Sequence, residues 1–259
     1  MPLQAIEPRR LYRQIADQLR ALIEQHEFAV GTRLPPERDL ARQLGVSRPS
    51  VREALIALEV EGLVEVRMGS GVYVCQAAAA PARKVSAEGP LEILRARQLI
   101  EAELAAHAAR HIKKPQLAHL RAAVRQMEAQ VAAGQAPLQG DRLFHTRIAE
   151  VSNNSVLLRV VSELFDERRN PLYRQLGSHF ETADSWASAI AEHHRVLEAI
   201  AARSPQAARD AMSLHLSNAH DRFTANWPVA LAARAPRLRA VRRMPARLEA
   251  QTVRVRPAS

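Results

Sequence analysis

The chain carries one cysteine, Cys75, in 259 residues. A single thiol excludes an intramolecular disulfide, and with no motif around it Cys75 reads as packing rather than chemistry. No basic-then-apolar leader opens the sequence, and no apolar run approaches the ~18 residues of a membrane span. Neither secretion nor a bilayer is indicated, and the expected compartment is the cytoplasm. A phosphate-binding loop, a nucleophile motif and internal repeats are also lacking, and low complexity is confined to an alanine-rich stretch at Ala77 to Ala80. After residue 75 nothing alternates with period two, which excludes a sheet from the larger part of the chain.

Positive charge is plentiful but unevenly placed. Of the net +10, the segment from Leu231 onward contributes +7, because it holds eight arginines and one acid, Glu249. That leaves +3 for everything before it. With Pro236, Pro245 and Pro257 and no sustained apolar face, residues 228–259 read as a disordered basic tail. Such a tail either adds salt-sensitive attraction to DNA or is a solvated extension with no required role.

The length suggests two domains. The first centres on the run LPPERDLARQLGVSRPSVREAL, residues 34–55. Leu40, Ala41 and Leu44 are apolar at helical spacing, Gly45 interrupts, and Val51, Ala54, Leu55 and Leu58 resume the pattern. Two short helices joined by a tight turn follow, with Ser47 placed to cap the second and Pro49 in its first turn. Upstream, Leu11, Ile15, Leu19, Leu22 and Ile23 form one helical stripe. Downstream, residues 63–67 and 72–74 read as two short strands closed by Met68 to Gly71. This is a winged helix-turn-helix.

The order of these elements, that run and the wing GLVEVRMGSGVYV resemble the DNA-binding domain of GntR-family bacterial transcription regulators. The resemblance covers residues 8–75. It implies that Arg38, Ser47, Arg48, Ser50 and Arg52 contact double-stranded operator DNA and that Gly69 in the wing tip approaches the minor groove or backbone. Bulk charge does not carry this reading, since residues 8–75 hold ten arginines against nine acids.

Residues 76–88 read as a linker, and residues 89–227 as an all-α bundle. Six helical stretches are expected, at 89–111, 116–133, 139–152, 155–176, 182–203 and 205–226, with a break at Gly177. The fold class is therefore mainly α: a winged helix-turn-helix followed by a helical effector-binding and dimerisation domain. Leu94 to Glu101 resembles the opening helix of the effector domain in FadR-type members, known as the FCD domain.

Asp141 and His145 are four apart on one helix and share a face. His193 and His215 would stand ~33 Å apart on a single helix, but the Ser204-Pro205 break lies midway between them. If the chain folds back there, each lies ~15 Å from the turn. Trp186, Ile190, His193, Leu197 and Ile200 form one inward stripe, and Ala208, Ala211, Met212, His215 and Ala219 the matching one. His194 and His220 fall off these stripes. Four donors thus converge on paper, and three imidazoles with one carboxylate suit Zn²⁺ or Ni²⁺. The alternative is a set of hydrogen-bonded core histidines. The contexts DRLFH, EHHRVLEAI and AMSLHL also match, position by position, the Asp-plus-three-His metal site of FadR-type domains. That resemblance implies a small carboxylate effector at the open face of the ion, with Arg97 as a candidate partner; a structural salt bridge from Arg97 to Glu101 is the competing reading. Residues 165–174 resemble hexuronate-responsive members of the group.

The expected function is a homodimeric, ligand-responsive transcriptional regulator, by default a repressor released by effector. Two other readings compete with it: a pure metal sensor with no organic ligand, and a metallohydrolase using Glu192 as a base. Against the enzyme, Glu192 points about 100° away from His193 around its helix. A third reading makes the bundle a dimerisation module alone.

Overall fold

A computed structural model describes residues 11–67, 69–76 and 88–225. The expected linker, apart from its ends, the wing residue Met68 and the basic tail lie outside the described residues.

The chain opens with α1 (Leu11–Glu24), α2 (Glu37–Leu44), α3 (Arg48–Val60), β1 (Val64–Arg67) and β2 (Gly71–Val74). Apolar spacing sets α1, which buries Tyr12, Ile15, Ala16, Leu19 and Ile23 against α3; Leu11 and Leu22, counted in the expected stripe, are exposed at its edges. Gly45 ends α2 in the left-handed region at φ 66°, and its N–H donates to the Ala41 carbonyl. Only glycine adopts that conformation without strain. The Ser47 hydroxyl accepts the Ser50 N–H at 3.3 Å and caps α3, with Pro49 in the first turn. The wing strands pair antiparallel, with Val64 opposite Val74 and Arg67 opposite Gly71. Residues 32–34 join the same edge, since Leu34 N–H donates to Val72 and Val74 N–H donates to Thr32.

The remainder is helical: α4 (Pro90–His111), α5 (Lys114–Ala132), α6 (Leu138–Glu150), α7 (Ser155–Asp166), α8 (Pro171–Phe180), α9 (Ala183–Ala201) and α10 (Pro205–Ala225), with a 3₁₀ turn, Glu167–Arg169, before α8. The expected helix at 155–176 is two. Pro171 has no N–H to continue the ladder, and Asn170 starts a new helix by accepting the Leu172 N–H at 2.7 Å. Gly177, the expected break, lies inside α8.

α4 runs against α10 and also meets α6 and α9. Its small buried residues Ala102, Ala105, Ala106, Ala108 and Ala109 let neighbouring backbones approach. Leu120, Met127, Phe144, Ile148, Val196, Ile200 and Met212 fill the core. Among the described residues no helix is long and apolar enough to cross a membrane.

Candidate metal centre and nucleic-acid interface

Asp141 and His145 project from α6, His193 from α9 and His215 from α10. One ligand atom of each lies within 4.8 Å of the others, and all four residues are buried. The chain turns back at Ser204-Pro205 and brings the His193 and His215 rings to 4.2 Å between centroids. Asp141 Oδ1 lies 3.0 Å from His193 Nε2 and 3.4 Å from His145 Nε2.

Each imidazole is oriented from its far side. His145 Nδ1 faces Glu101 of α4, His193 Nδ1 lies 2.7 Å from the Ala189 carbonyl, and His215 Nδ1 lies 2.8 Å from Glu192 Oε2. An acceptor at every Nδ1 fixes the proton there and turns a lone pair on Nε2 inward. His145 Nε2 and His193 Nε2 then face each other at 3.2 Å. Two lone pairs at that distance, beside a carboxylate, call for a cation between them. This donor set fits a divalent metal ion.

The charges agree. Burial would raise Asp141, but Arg168 and the two histidines hold its carboxyl well below the usual range. Burial is likewise overcome at Glu101 by Arg97 and His145, and at Glu192 by His215 and Arg222, so that each falls to about 2. His215 is pushed down to about 3, chiefly by burial, which keeps it neutral as a ligand must be. His145 moves the other way: burial lowers it, yet Glu101 and Asp141 together raise it. Its surroundings favour a positive charge at this point.

A cavity opens over the cluster, lined by Arg97, Arg168, Tyr173, Trp186, Arg222 and Phe223, with Asp141, His193 and His215 in its wall. It shares Leu138, Arg168, Tyr173, Glu181 and Trp186 with a chamber of about 230 Å³. Arg97 Nη2, Arg168 Nε and Trp186 Nε1 are buried there without a hydrogen-bond partner. Arg97 makes the salt bridge that was the competing reading of it. Its Nε donates to Glu101 at 2.7 Å, its guanidinium stacks 3.8 Å over the Phe165 ring, and its Nη2 is left for something else.

Sequence reasoning set Trp186 on the inward stripe of His193 and singled out residues 165–174 around Arg168, but gave neither side chain a place at the site, and it missed Arg222. It weighed Glu192 as a base, whereas the structure gives that carboxylate to His215, Asn218 and Arg222. The angle that turned Glu192 from His193 was the available signal, since it faces α10.

In the winged unit, Arg38, Ser47 and Arg48 are exposed at the junction of α2 and α3, Ser50 is half-buried with its hydroxyl 2.8 Å from that of Ser47, and Gly69 is exposed at the wing tip. Arg52 departs from the expectation. Its side chain is 1% exposed: Nε and Nη2 donate to Glu37 Oε2 at 3.1 and 2.9 Å, and Nη1 donates to the Phe223 carbonyl at 2.8 Å. The physical cause is the buried Glu37 carboxylate on one side and the end of α10 on the other. Glu37 also accepts from Arg48 Nε at 2.8 Å, so one carboxylate orients two arginines of α3.

A winged helix-turn-helix joined to an FCD-type helical domain defines a transcriptional regulator. The chain belongs to the GntR family of bacterial regulatory proteins, whose model matches residues 11–74, and residues 92–218 match the FCD domain. It is 39% identical over 225 residues to the Exu regulon transcriptional regulator of Escherichia coli K12, covering 83% of this chain and 85% of that one. The Uxu operon transcriptional regulator of the same strain is 37% identical, over 85% and 89% of the two chains. Its putative L-lactate dehydrogenase operon regulatory protein is 35% identical, over 82% and 86%. These relatives are regulators and not enzymes, and so is this chain.

Proposed function

We propose that this regulator is a homodimer which binds a near-palindromic operator through residues 8–75 and senses a small carboxylate at a divalent ion in residues 89–227. The observation that carries the ligand reading is the set of three inward-turned Nε2 atoms and Asp141 beneath a cavity whose deepest arginine has an unpartnered nitrogen. Asp141, His145, His193 and His215 would hold the ion, Zn²⁺ or Ni²⁺ by donor type. When bound, it supplies a Lewis-acid site for a carboxylate oxygen.

The chain's own residues do the rest. Arg97 Nη2 donates to the same carboxylate, which relieves a buried donor. Arg168 Nε and Trp186 Nε1 donate to further oxygens of the ligand. Phe165 and Phe180 exclude water. Arg38, Ser47, Arg48 and Ser50 read or position DNA, with Gly69 at the wing. A two-fold protein demands matched half-sites, and an effector that favours one arrangement of the subunits changes operator affinity by its differential affinity for the two states. Release of a repressor by effector is the direction proposed.

The test is a thermal-shift screen of Zn²⁺-loaded protein against small carboxylates. One class of acid should raise the melting temperature in the parent, and Arg97→Ala should abolish the rise. Operator affinity that follows Zn²⁺ alone, with every acid silent, would replace the effector reading with a metal sensor.

A further inference from the structure

The DNA-reading helix α3 is tied to the helical domain at three points. Arg52 Nη1 donates to the Phe223 carbonyl at 2.8 Å, and its guanidinium carbon lies 5.7 Å from the Phe180 ring. Near the far end of α3, His179 Nε2 sits 2.6 Å from Glu59 Oε2. Between them, Glu53 accepts the Leu91 N–H of α4 at 3.0 Å. The outcome is a helix presented by halves: Arg48 keeps 56% of its side chain exposed, whereas Arg52, one turn further on, keeps 1%. A guanidinium so enclosed does not reach a base edge.

We propose that Arg52 is a two-position switch residue. The end of α10 holds its guanidinium in the arrangement described here, and operator DNA takes it in the other. Glu37 and Arg52 both belong to the winged unit, so their ion pair travels with α3 and keeps the arginine aimed in either state. What changes is the remaining contact: the Phe223 carbonyl and the Phe180 ring on one side, a base or phosphate on the other. The two uses exclude each other, so the bundle contact lowers operator affinity. Phe180 and Phe223 also line the cavity above the histidine cluster. Whatever moves those walls acts on Arg52 directly. This inference rests on the expectation, implied by the family resemblance, that Arg52 contacts the operator once it is released from α10.

Operator affinity is measured on full-length, Zn²⁺-loaded protein, at one salt concentration, with the duplex that the parent selects from a random pool. Phe180→Leu keeps an apolar side chain but removes the ring facing Arg52. His179→Ala cuts the outer tether and leaves every residue that lines the cavity or forms the cluster in place. Each should bind that duplex at least about fivefold more tightly than the parent, the low end of common coupling between sites. In an Arg52→Ala background, which itself should bind more weakly, Phe180→Leu should make no further difference. Unchanged or weakened binding in both release variants, with melting temperature and metal content like the parent's, overturns the switch. Arg52→Ala binding as tightly as the parent overturns instead the assignment of Arg52 to the operator. A Phe180→Leu protein that fails to fold leaves His179→Ala to decide.

Discussion

Glu53 is a carboxyl of α3 turned into the seam between the winged unit and α4. Burial, set against the Leu91 N–H, pushes it up to about 7 from an ordinary 4.5. Between those values the folded chain keeps a proton that the unfolded chain has released. Its contribution to stability is therefore full below about pH 4.5, falls as pH rises and is lost above about 7, a change of roughly 3 kcal/mol at most. Glu53→Gln keeps an acceptor for Leu91 and carries no charge. Denaturant titrations at pH 5 and pH 8 should show the variant gaining on the parent at the higher pH; parallel stabilities would contradict the assignment. Glu192 offers a second test. Its carboxylate orients His215 and binds Arg222, so Glu192→Ala should weaken Zn²⁺ affinity by about 10–100-fold in a chelator competition, and Glu192→Gln by less. Equal affinity in all three would reduce Glu192 to a packing residue.

Among the elements, those with local punctuation were legible in the sequence and those built by distant contacts were not. Gly45, Ser47 and Pro49 mark a turn, a cap and a first turn within five residues, and the structure uses each in that way. His193 and His215 were separable from His194 and His220 because periodicity of 3.6 assigns faces, and the His194 side chain, 44% exposed, turns to Glu128 at 2.8 Å. The break between α7 and α8 was missed because apolar positions continue through Phe165, Leu172, Tyr173 and Leu176 on both sides of Asn170-Pro171. The burial of Arg52 was only half legible: Glu37 lies 15 residues away in the same run, but the Phe223 carbonyl that encloses the other side is 171 residues away. At the α2–α3 turn, a Cβ on Gly45 would meet nothing within 4 Å, so substitution there costs only the left-handed backbone. Gly45→Ala should destabilise by about 1 kcal/mol and Gly45→Asn by less, read by thermal unfolding. Equal stability of alanine and glycine proteins would show that the turn relaxes.

On the scale of the whole molecule, a regulator needs its ligand site and its DNA-reading face joined by contacts that change together. Here the cavity walls Phe180 and Phe223 reach α3 at Arg52, while Asp141, His193 and His215 line the same cavity. The ligand reading depends on the proposed ion at that cluster. Elemental analysis of full-length protein purified without chelator tests it most directly, with His193→Ala/His215→Ala as the comparison. The account predicts about one divalent ion per chain in the parent and none in the variant, with operator binding retained by both. A parent free of metal, or a variant that carries as much as the parent, would return the four residues to a hydrogen-bonded core and contradict the account.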